Sequence, residues 1–436
     1  MGRYLNSSTS YVLYKGQTEQ PYFVDKSQML SELFPFLDSG NTHICITRPR
    51  RFGKTVMANM ITAFLGKKQD SDSIFKSLKI SQNDLYNKYR NQYNVISIDF
   101  SKMPRDCDSY TDYIDRIETN LIRDLRKEYT QIEIYEDDSA ADVLETIFEE
   151  CDQQRFVFVL DEWDFIFHKD FVTEENKKQY VLFLSNLLKD RSYVQLTYMT
   201  GILPIAKYSS GSELNMFWEY TMASETKYNE YFGFTDSEVD QLYEKYTRNT
   251  REIHISREDL KEWYDGYTTK LGERMYNPRS VVFALTNNNI GNYWTSSGPY
   301  DEIFYYIRQN IDDVQNDLAL MISGEAVTAK IQEYAAVSMN LTTKNEIFSA
   351  MIVYGFLSYE NGEVRIPNKE LMNKFDDMIH KVSKLKAQKY NKKKWRYVQK
   401  QLKKSKKILY SNAATQKSIN SAKSDLKKSI NKLRRK

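Results

Sequence analysis

Five short apolar segments alternate along the first half of the chain with longer segments of helical periodicity. The apolar segments, which are rich in β-branched and aromatic residues, are 43–47, 94–98, 156–160, 194–198 and 217–222. The helical pattern is clearest at 56–65, 109–129, 141–151 and 174–189. Strands that alternate with helices predict a mainly parallel sheet with helices on both faces. The third segment is apolar throughout, which is typical of a central strand.

A second region begins after Gly233, where the pattern changes to helices whose starts can be recognised. Residues 235–238 and 256–259 each have a hydroxyl residue followed three positions later by an acidic residue. In a capping box these two side chains satisfy the first free amide groups of a helix. We therefore predict that a helical domain follows the sheet.

This helical region is predicted to end in a hairpin. A helical segment at 346–354 is followed by an apolar segment at 356–359, a turn at Asn361-Gly362 and an extended segment at 364–366. Asn-Gly is typical of tight hairpin turns, whose central residues need positive φ angles. The pattern fits either a winged-helix element or a plain hairpin that closes the helical domain.

The last part of the chain has an amphipathic pattern of its own. Two apolar stripes at helical spacing consist of Trp395, Val398, Leu402, Ile408 and Leu409, and of Ile419, Ala422, Leu426, Ile430 and Leu433. Residues 412–415 between them predict a turn, with Thr415 as the N-cap of the second helix. We predict a helical hairpin or small bundle at 381–436.

The length of 436 residues is too great for one compact core, since domains average roughly 150 residues. A composition of 41% hydrophobic and 28% charged residues is that of a globular protein and excludes a disordered or collagen-like chain. We predict an α/β class of fold with three regions. They are a parallel-sheet core at 1–233, a helical domain at 234–380 and a basic helical tail at 381–436.

The net charge of +3 hides two oppositely charged parts. Residues 381–436 contain 21 Lys and Arg and one acid, Asp425, which gives +20; the other 380 residues hold 41 basic and 58 acidic side chains, which gives −17. A tail of this charge is expected to bind a polyanion, either nucleic acid or an acidic protein. The alternatives are docking onto the acidic part of the same chain, a merely solvated helical face and a tail that serves only solubility.

The sequence contains no signal for export or for a membrane. No segment approaches the about 18 consecutive apolar residues of a transmembrane helix, and residues 1–20 lack the apolar run of a secretory signal. The three cysteines, Cys45, Cys107 and Cys151, are far apart and form no CxxC pair, which favours a reducing compartment. We expect a cytoplasmic protein.

Candidate chemistry first appears where the first predicted strand ends. Residues 47–55 read Thr-Arg-Pro-Arg-Arg-Phe-Gly-Lys-Thr and lead into a predicted helix. This is the strand, loop, helix arrangement of a phosphate-binding loop, in which backbone amides and the helix N-terminus face the phosphates of ATP. Lys54 is expected to reach the β- and γ-phosphates and the Thr55 hydroxyl to bind Mg²⁺. The other predicted nucleotide contacts are Arg48, Pro49, Arg50, Arg51, Phe52 and Gly53.

The predicted central strand ends in two carboxylates, Asp161 and Glu162. Side chains at the C-terminal ends of parallel strands gather at one edge of the sheet, where such sheets bind ligands. We therefore expect Asp161 to hold Mg²⁺ together with Thr55, and Glu162 to polarise the water that attacks the γ-phosphate. Thr200, which ends the fourth predicted strand, is a candidate for contact with the γ-phosphate or this water. A simple turn at Thr200-Gly201 is the alternative.

Other catalytic classes have no support in the sequence. The four histidines are scattered without the spacing of metal ligands; they are His43, His168, His254 and His380. No Ser, His and Asp residues form a pattern that indicates a catalytic triad. We therefore expect chemistry on a nucleotide and not that of a zinc enzyme or a serine hydrolase.

Taken together, the motifs resemble the AAA-ATPase-like family of bacterial proteins, whose members carry an RPRRFGK[ST] phosphate loop. The resemblance covers roughly residues 20–370 and rests on the segments 23–27, 47–55, 160–164, 200–203, 231–235, 263–267 and 276–278. It implies a P-loop ATPase core of the ASCE type followed by a helical lid. It also makes Arg48, which stands where the GxxxxGK[ST] pattern has its first glycine, a family trait.

The tail departs from the family pattern. Members are commonly fused to a C-terminal PD-(D/E)XK nuclease-like domain, and this chain ends instead in the basic helical tail, so we do not expect nuclease activity. Residues 412–416 and the helix predicted after them are similar to the small FIVAR repeats of Gram-positive surface proteins. This short similarity does not change the expectation of a cytoplasmic protein.

The second departure concerns the rate of hydrolysis. Oligomeric AAA+ enzymes usually supply an arginine between the fourth and fifth strands, and no arginine occurs from 192 to 247. Either Arg48, Arg50, Arg51 or Arg191 acts within the chain, or hydrolysis is slow. We predict an ATP-binding protein with slow Mg²⁺-dependent hydrolysis that switches the conformation of the lid. The alternatives are a nucleic-acid-binding or interaction scaffold with a vestigial nucleotide site, and a signalling ATPase of a defence system.

Overall fold

The computed structural model of the chain describes most of the first 376 residues and little of the tail. The described residues are 2–104, 106–205, 213–222, 226–295, 311–331, 341, 343–376, 397, 400, 404, 421 and 425. The chain divides into two compact units, Met1–Phe234 and Thr235–Lys436. Lys404 Nζ lies 3.6 Å from a carboxylate oxygen of Asp425. The apolar stripes predicted for the tail lie outside the described residues.

The first unit is built on a parallel five-stranded sheet. Its strands are β1 (Thr42–Thr47), β2 (Asn94–Asp99), β3 (Phe156–Asp161), β4 (Val194–Gly201) and β5 (Phe217–Tyr220). Their spatial order is β2-β3-β4-β1-β5, and every neighbouring pair runs parallel. The predicted parallel sheet is therefore confirmed. Each residue of β3 is buried, as predicted for a central strand.

The helices of the first unit cover both faces of this sheet. They are α1 (Thr9–Thr18), α2 (Met29–Ser39), α3 (Lys54–Leu65), α4 (Asp72–Phe75), α5 (Tyr86–Tyr89), α6 (Tyr110–Glu128), α7 (Ala140–Glu150) and α8 (Glu174–Leu188). Val157 and Val159 share a buried cluster with residues of α1, α2 and α3. The intervening side chains point the opposite way, and the ring of Phe156 lies 6.1 Å from that of Tyr129, the C-cap of α6. Because helices pack on both faces of the sheet, the side chains on both faces of β3 are buried, which explains its near-continuous apolar character.

The second unit is mostly helical in the part that the structure describes. Its helices are α9 (Asp236–Asn249), α10 (Arg257–Tyr264), α11 (Pro278–Asn287), α12 (Ile311–Ile322) and α13 (Lys344–Val353). Its short strands are β6 (Tyr267–Thr268), β7 (Arg274–Met275), β8 (Val327–Thr328), β9 (Ser358–Glu360) and β10 (Glu363–Arg365). The capping boxes predicted at Thr235 and Ser256 are both present at the starts of α9 and α10.

The predicted hairpin is also present in the second unit. Asn361 and Gly362, which join β9 to β10, have φ angles of 50° and 85°, as a tight turn requires. Strand β10 pairs antiparallel with both β9 and β8, so the hairpin is part of a three-stranded sheet. The pattern does not predict β8, which is two residues long. A winged-helix identity for this region stays a prediction.

Candidate functional site

The predicted phosphate loop connects β1 directly to α3. Gly53 is the N-cap of α3 and has a φ of 93°, in the left-handed region. No atom lies within 4 Å of the position that a Cβ would take there, so glycine is favoured by the backbone conformation and not by lack of space. The first turn of a helix leaves backbone N–H groups without partners inside the helix, which makes the start of α3 suited to an anion.

Lys54 is buried at the start of α3, with 4% of its surface exposed. Its ammonium donates hydrogen bonds to the backbone carbonyl oxygens of Arg48, at 3.0 Å, and Pro49, at 3.1 Å. Its charge also lowers the pKa values of Asp161 and Glu162 against the effect of burial. The phosphate-loop lysine and the two predicted carboxylates are thus close enough to interact.

Asp161 lies at the end of β3 and is the most informative group of the site. Its Oδ1 accepts a 2.5 Å hydrogen bond from the hydroxyl of Thr200, which is itself fully buried. Its Oδ2 is buried and accepts no hydrogen bond from any described residue. Burial raises the pKa of Asp161, whereas the hydroxyls of Thr200 and Thr55 act to lower it. A buried polar atom without a partner is costly, which marks Oδ2 as a position for a ligand.

Glu162, the next residue, has an unusual backbone conformation. Its φ is 54°, a left-handed value that is uncommon outside glycine and that clusters at functional sites. Burial raises the pKa of its carboxyl group, and the positive charges of Lys54 and Arg50 oppose this rise. Asp164 and Asp161 raise it further by repulsion. The Glu162 carboxylate is therefore within electrostatic range of both the phosphate loop and two other acids.

Trp163 and Asp164 fix the segment that follows β4, a role that the sequence analysis did not assign. Asp164 is 1% exposed, and its Oδ2 accepts the backbone N–H groups of Ile202, at 3.1 Å, and Leu203, at 2.9 Å. The Trp163 indole N–H donates to the carbonyl oxygen of Leu203 at 3.2 Å. A Cβ at Gly201 would lie 2.3 Å from Trp163 Cδ1. The close approach of this ring explains why glycine follows Thr200.

Asp99 is a second residue that the sequence analysis missed. It ends β2, and the strand register places it beside Asp161. Its negative charge contributes to the raised pKa of Asp161. Its Oδ1 accepts hydrogen bonds from the backbone N–H and the hydroxyl of Ser101, at 3.0 and 2.6 Å. The only signal in the sequence was its position at the end of an apolar strand.

Arg48 is placed differently from the other residues of the loop. It is 1% exposed, and its guanidinium donates to the carbonyl oxygens of Thr47 and Tyr220 and to the side-chain oxygen of Asn229, each at 2.8 Å. Its side chain therefore bonds to the protein. Contacts of Arg48, Pro49, Arg50, Arg51, Phe52 and Gly53 with a nucleotide stay predictions.

The residues at this edge of the sheet fit a magnesium ion bound together with phosphates. Mg²⁺ prefers oxygen ligands and is commonly held by one or two protein groups plus water and phosphate oxygens. Thr55 supplies a hydroxyl and Asp161 supplies the carboxylate oxygen that lacks a partner. Within the described ranges, no three His, Cys, Asp or Glu side chains gather so as to hold a metal ion by themselves. A site completed by phosphate oxygens is consistent with both observations.

One family model matches part of the first unit. Residues 14–210 match the family model of the AAA-ATPase-like proteins, described as a predicted AAA-ATPase. The resemblance to this family is confirmed over that segment. The match includes the phosphate loop, Asp161, Glu162 and Thr200, and it supports nucleotide binding by this part of the chain. The motifs quoted above at 231–235, 263–267 and 276–278 lie beyond the matched residues.

More distant similarities add little on function. An uncharacterised protein from the vnfD 5′ region of Azotobacter chroococcum mcd 1 is 24% identical over 284 residues, which are 64% of this chain and 51% of that protein. The chain thus spans about half the length of this curated relative.

Two solved structures are similar at low TM-scores. A Walker-type ATPase of Pyrococcus abyssi has a TM-score of 0.44 and 11% identity and covers 81% of this chain and 95% of its own. The ORC2 protein of Aeropyrum pernix, in ADPNP and ADP complexes, has a TM-score of 0.40 and 12% identity. The match covers 81% of this chain and 93% of the ORC2 chain. At these scores, the ligands of those proteins carry no inference about this chain.

The described helices include none that is long and apolar enough to cross a membrane.

Proposed function

We propose that this protein binds ATP with Mg²⁺ at the C-terminal edge of its parallel sheet, hydrolyses it slowly and uses the nucleotide state as a conformational switch. The observation that carries the proposal is the buried Asp161, whose Oδ2 has no hydrogen-bond partner among the described residues. It lies near Thr55 and Lys54 at the start of α3. This combination is that of a site for a metal ion and a phosphate chain.

Each residue of the site has a distinct proposed role. Lys54 and the amides at the start of α3 bind the β- and γ-phosphates, and Thr55 and Asp161 hold Mg²⁺. The metal ion, when bound, offsets the negative charge that develops on the phosphate oxygens. Glu162 orients and polarises the attacking water, and Thr200 holds Asp161 in place through its hydroxyl hydrogen bond. Asp164 is proposed to position the loop after β4.

Slow hydrolysis is proposed from the arrangement of the arginines. No arginine occurs from 192 to 247, where oligomeric relatives usually carry the residue that stabilises the transferring phosphoryl group. Arg48 bonds to protein carbonyl groups, and Arg191 lies 3.8 Å from Glu145. Arg50 and Arg51 therefore remain as candidates for a weak contribution within the chain, and we favour Arg50 because its charge acts on Glu162.

The direct test is nucleotide binding by the wild type and by Lys54→Ala. Lys54 is buried beside the loop carbonyl oxygens, so its loss is expected to weaken ATP binding strongly, as measured by titration calorimetry with MgATP. Lys76→Ala removes an exposed lysine and is expected to bind like the wild type. Equal binding by wild type and Lys54→Ala, or no binding by either, would show that the site is wrongly assigned. Nucleotide released from the purified protein by acid would support the proposal further.

A second proposal concerns the tail, whose charge of +20 favours binding to nucleic acid or to an acidic protein partner. Each lysine that neutralises a phosphate steepens the dependence of affinity on salt. DNA or RNA binding with a steep salt dependence, lost on deletion of 381–436 and unaffected by ATP, would favour a scaffold with a vestigial nucleotide site. Retention of binding after the deletion would contradict the proposal for the tail.

A further inference from the structure

Arg48 joins the phosphate loop to a distant part of the first unit. Its guanidinium donates to the carbonyl oxygen of Tyr220, in β5, and to Oδ1 of Asn229, each at 2.8 Å. It also lies over the ring of Phe232, 5.1 Å from the centroid. Asn229 is buried, with 2% of its surface exposed. These contacts require an arginine and would be lost with the glycine that the usual GxxxxGK[ST] pattern has at this position.

A second contact joins the other end of the phosphate loop to the same segment. The backbone N–H of Gly233 donates to the carbonyl oxygen of Phe52 at 3.2 Å. Residues 229–233 include the 3-10 turn Asn229–Tyr231. They lie one residue before Thr235, the N-cap of α9, with which the second unit begins. The loop is thus bonded near both of its ends to the connection that leads into the second unit.

The lysine of the loop belongs to the same network. Lys54 Nζ donates to the backbone carbonyl oxygen of Arg48 at 3.0 Å and to that of Pro49 at 3.1 Å. Phosphate oxygens would compete with these carbonyl oxygens for the ammonium group. Movement of Lys54 onto a phosphate would change the position of the backbone at Arg48, whose side chain holds Asn229. A guanidinium bonds through a rigid planar fork, so small shifts of the loop are transmitted to its acceptors.

We propose that Arg48 is a positioning residue that couples the phosphate loop to residues 229–233. Nucleotide binding at the loop then also stabilises the backbone of residues 229–233, which lead into the second unit. The inference rests on the proposed function, because the signal that it transmits is nucleotide binding. It assigns to Arg48 a role in transmission and not in direct contact with the phosphates. Asn229 is the receiving side chain, and the Phe52–Gly233 hydrogen bond is the parallel backbone contact.

The test is hydrogen exchange of the full chain, followed in peptides that cover 46–57 and 226–234. The first comparison needs no nucleotide. Arg48→Lys keeps the positive charge but loses the fork, so exchange is expected to rise about tenfold in both peptides, within the usual range for coupled sites. Unchanged exchange at 226–234 in Arg48→Lys would overturn the inference, whether or not the protein binds nucleotide. Arg48→Lys is preferred to Arg48→Gly because the glycine variant risks failing to fold.

The second comparison adds the ATP analogue AMP-PNP with Mg²⁺. In the wild type and in the control Asn249→Ala, an exposed position of α9, nucleotide is expected to slow exchange in both peptides. In Asn229→Ala it is expected to slow exchange at 46–57 as in the wild type, but to slow exchange at 226–234 less, because only the Phe52–Gly233 hydrogen bond still joins the two segments. Protection of 226–234 in Asn229→Ala equal to that in the wild type would contradict the coupling alone. Absence of protection at 46–57 in the wild type would contradict nucleotide binding, and with it the transmitted signal.

Discussion

Asp161 in the first unit and Glu370 in the second are both buried carboxylates, with 4% and 2% of their surfaces exposed. Burial raises the pKa of both. Glu370 Oε1 accepts the backbone N–H groups of Trp294, at 2.7 Å, and Thr295, at 2.9 Å, and its Oε2 accepts the hydroxyl of Ser280 at 2.8 Å. Asp161 has a described donor on Oδ1 and none on Oδ2.

The difference separates two uses of a buried acid. A carboxylate whose oxygens are all occupied by protein donors stabilises the fold, because removing it leaves those donors unpaired. A carboxylate with an unoccupied oxygen costs stability unless a ligand completes it. We infer that Glu370 serves structure and that Asp161 serves binding.

The largest expected effect is on turnover. Glu162→Gln removes the carboxylate proposed to polarise water and should reduce kcat for ATP hydrolysis by about 10²–10⁴-fold, while MgATP binding and the urea midpoint stay close to those of the wild type. Phosphate release and calorimetry measure the two quantities. Glu149→Gln, an exposed position of α7, is the control. Unaltered turnover in Glu162→Gln would remove this residue from the mechanism.

The two buried acids themselves should differ in their effect on folding. Glu370→Ala leaves its backbone and hydroxyl donors without an acceptor and is expected to lower the free energy of unfolding by about 1–3 kcal/mol for each donor that stays buried and unpaired. Asp161→Ala is expected to stay within about 1 kcal/mol of the wild type, but to lose Mg²⁺-dependent nucleotide binding. Urea unfolding and calorimetry test the pair. An equal loss of stability in both variants would show that Asp161 stabilises the fold as much as Glu370 does.

Two glycines of the first unit provide a matched pair of smaller effects. Gly201→Ala would place a Cβ against the buried Trp163 ring and is expected to cost about 1–3 kcal/mol of stability. Gly16 lies in α1 with no atom near its Cβ position, so Gly16→Ala should stabilise the protein by about 0.5–1 kcal/mol. Thermal unfolding measures both. A neutral Gly201→Ala would show that the Trp163 contact is not constraining.

The smallest expected effect is a displacement of the pH profile. Glu162 must be ionised to polarise water, and burial favours its neutral form by raising the pKa. Hydrolysis should therefore fall as the pH drops through a value above the usual carboxyl pKa of about 4.3. The measurement is kcat against pH at saturating MgATP. A profile that stays flat down to the ordinary carboxyl pKa would contradict the raised value.

Most of the sheet could be predicted because its signal is local. Five apolar segments bounded by polar turns correspond to β1 to β5, and the helices on both faces of the sheet explain the uniform burial of β3. The pattern does not predict α1 and α2, since Gly16 lies within the first and Pro35 within the second, and both residues weaken a helical signal. The hairpin at Asn361-Gly362 was predictable because the turn needs positive φ angles at two adjacent residues.

The candidate site could be predicted where residues close together in the sequence form it. It could not be predicted where the fold brings together residues that are far apart in the sequence. The loop at 47–55 and the pair Asp161-Glu162 follow from position, because a loop after a strand and acids at a strand end lie at one edge of a parallel sheet. The pairing of Asp99 with Asp161 depends on strand order, which short-range patterns do not contain. The burial of Asp164 depends likewise on the backbone that folds over it.

Arg48 marks this limit most clearly. The position of Arg48 in the phosphate loop can be identified from the sequence, and this position predicts a phosphate contact. Its acceptor Asn229 is 181 residues away, and the fold alone brings the two together. Local residue order is enough to indicate the groups of the candidate site, because strand, loop and helix follow one another directly. Long-range packing assigns their partners, because hydrogen bonds and burial depend on distance in space and not along the chain.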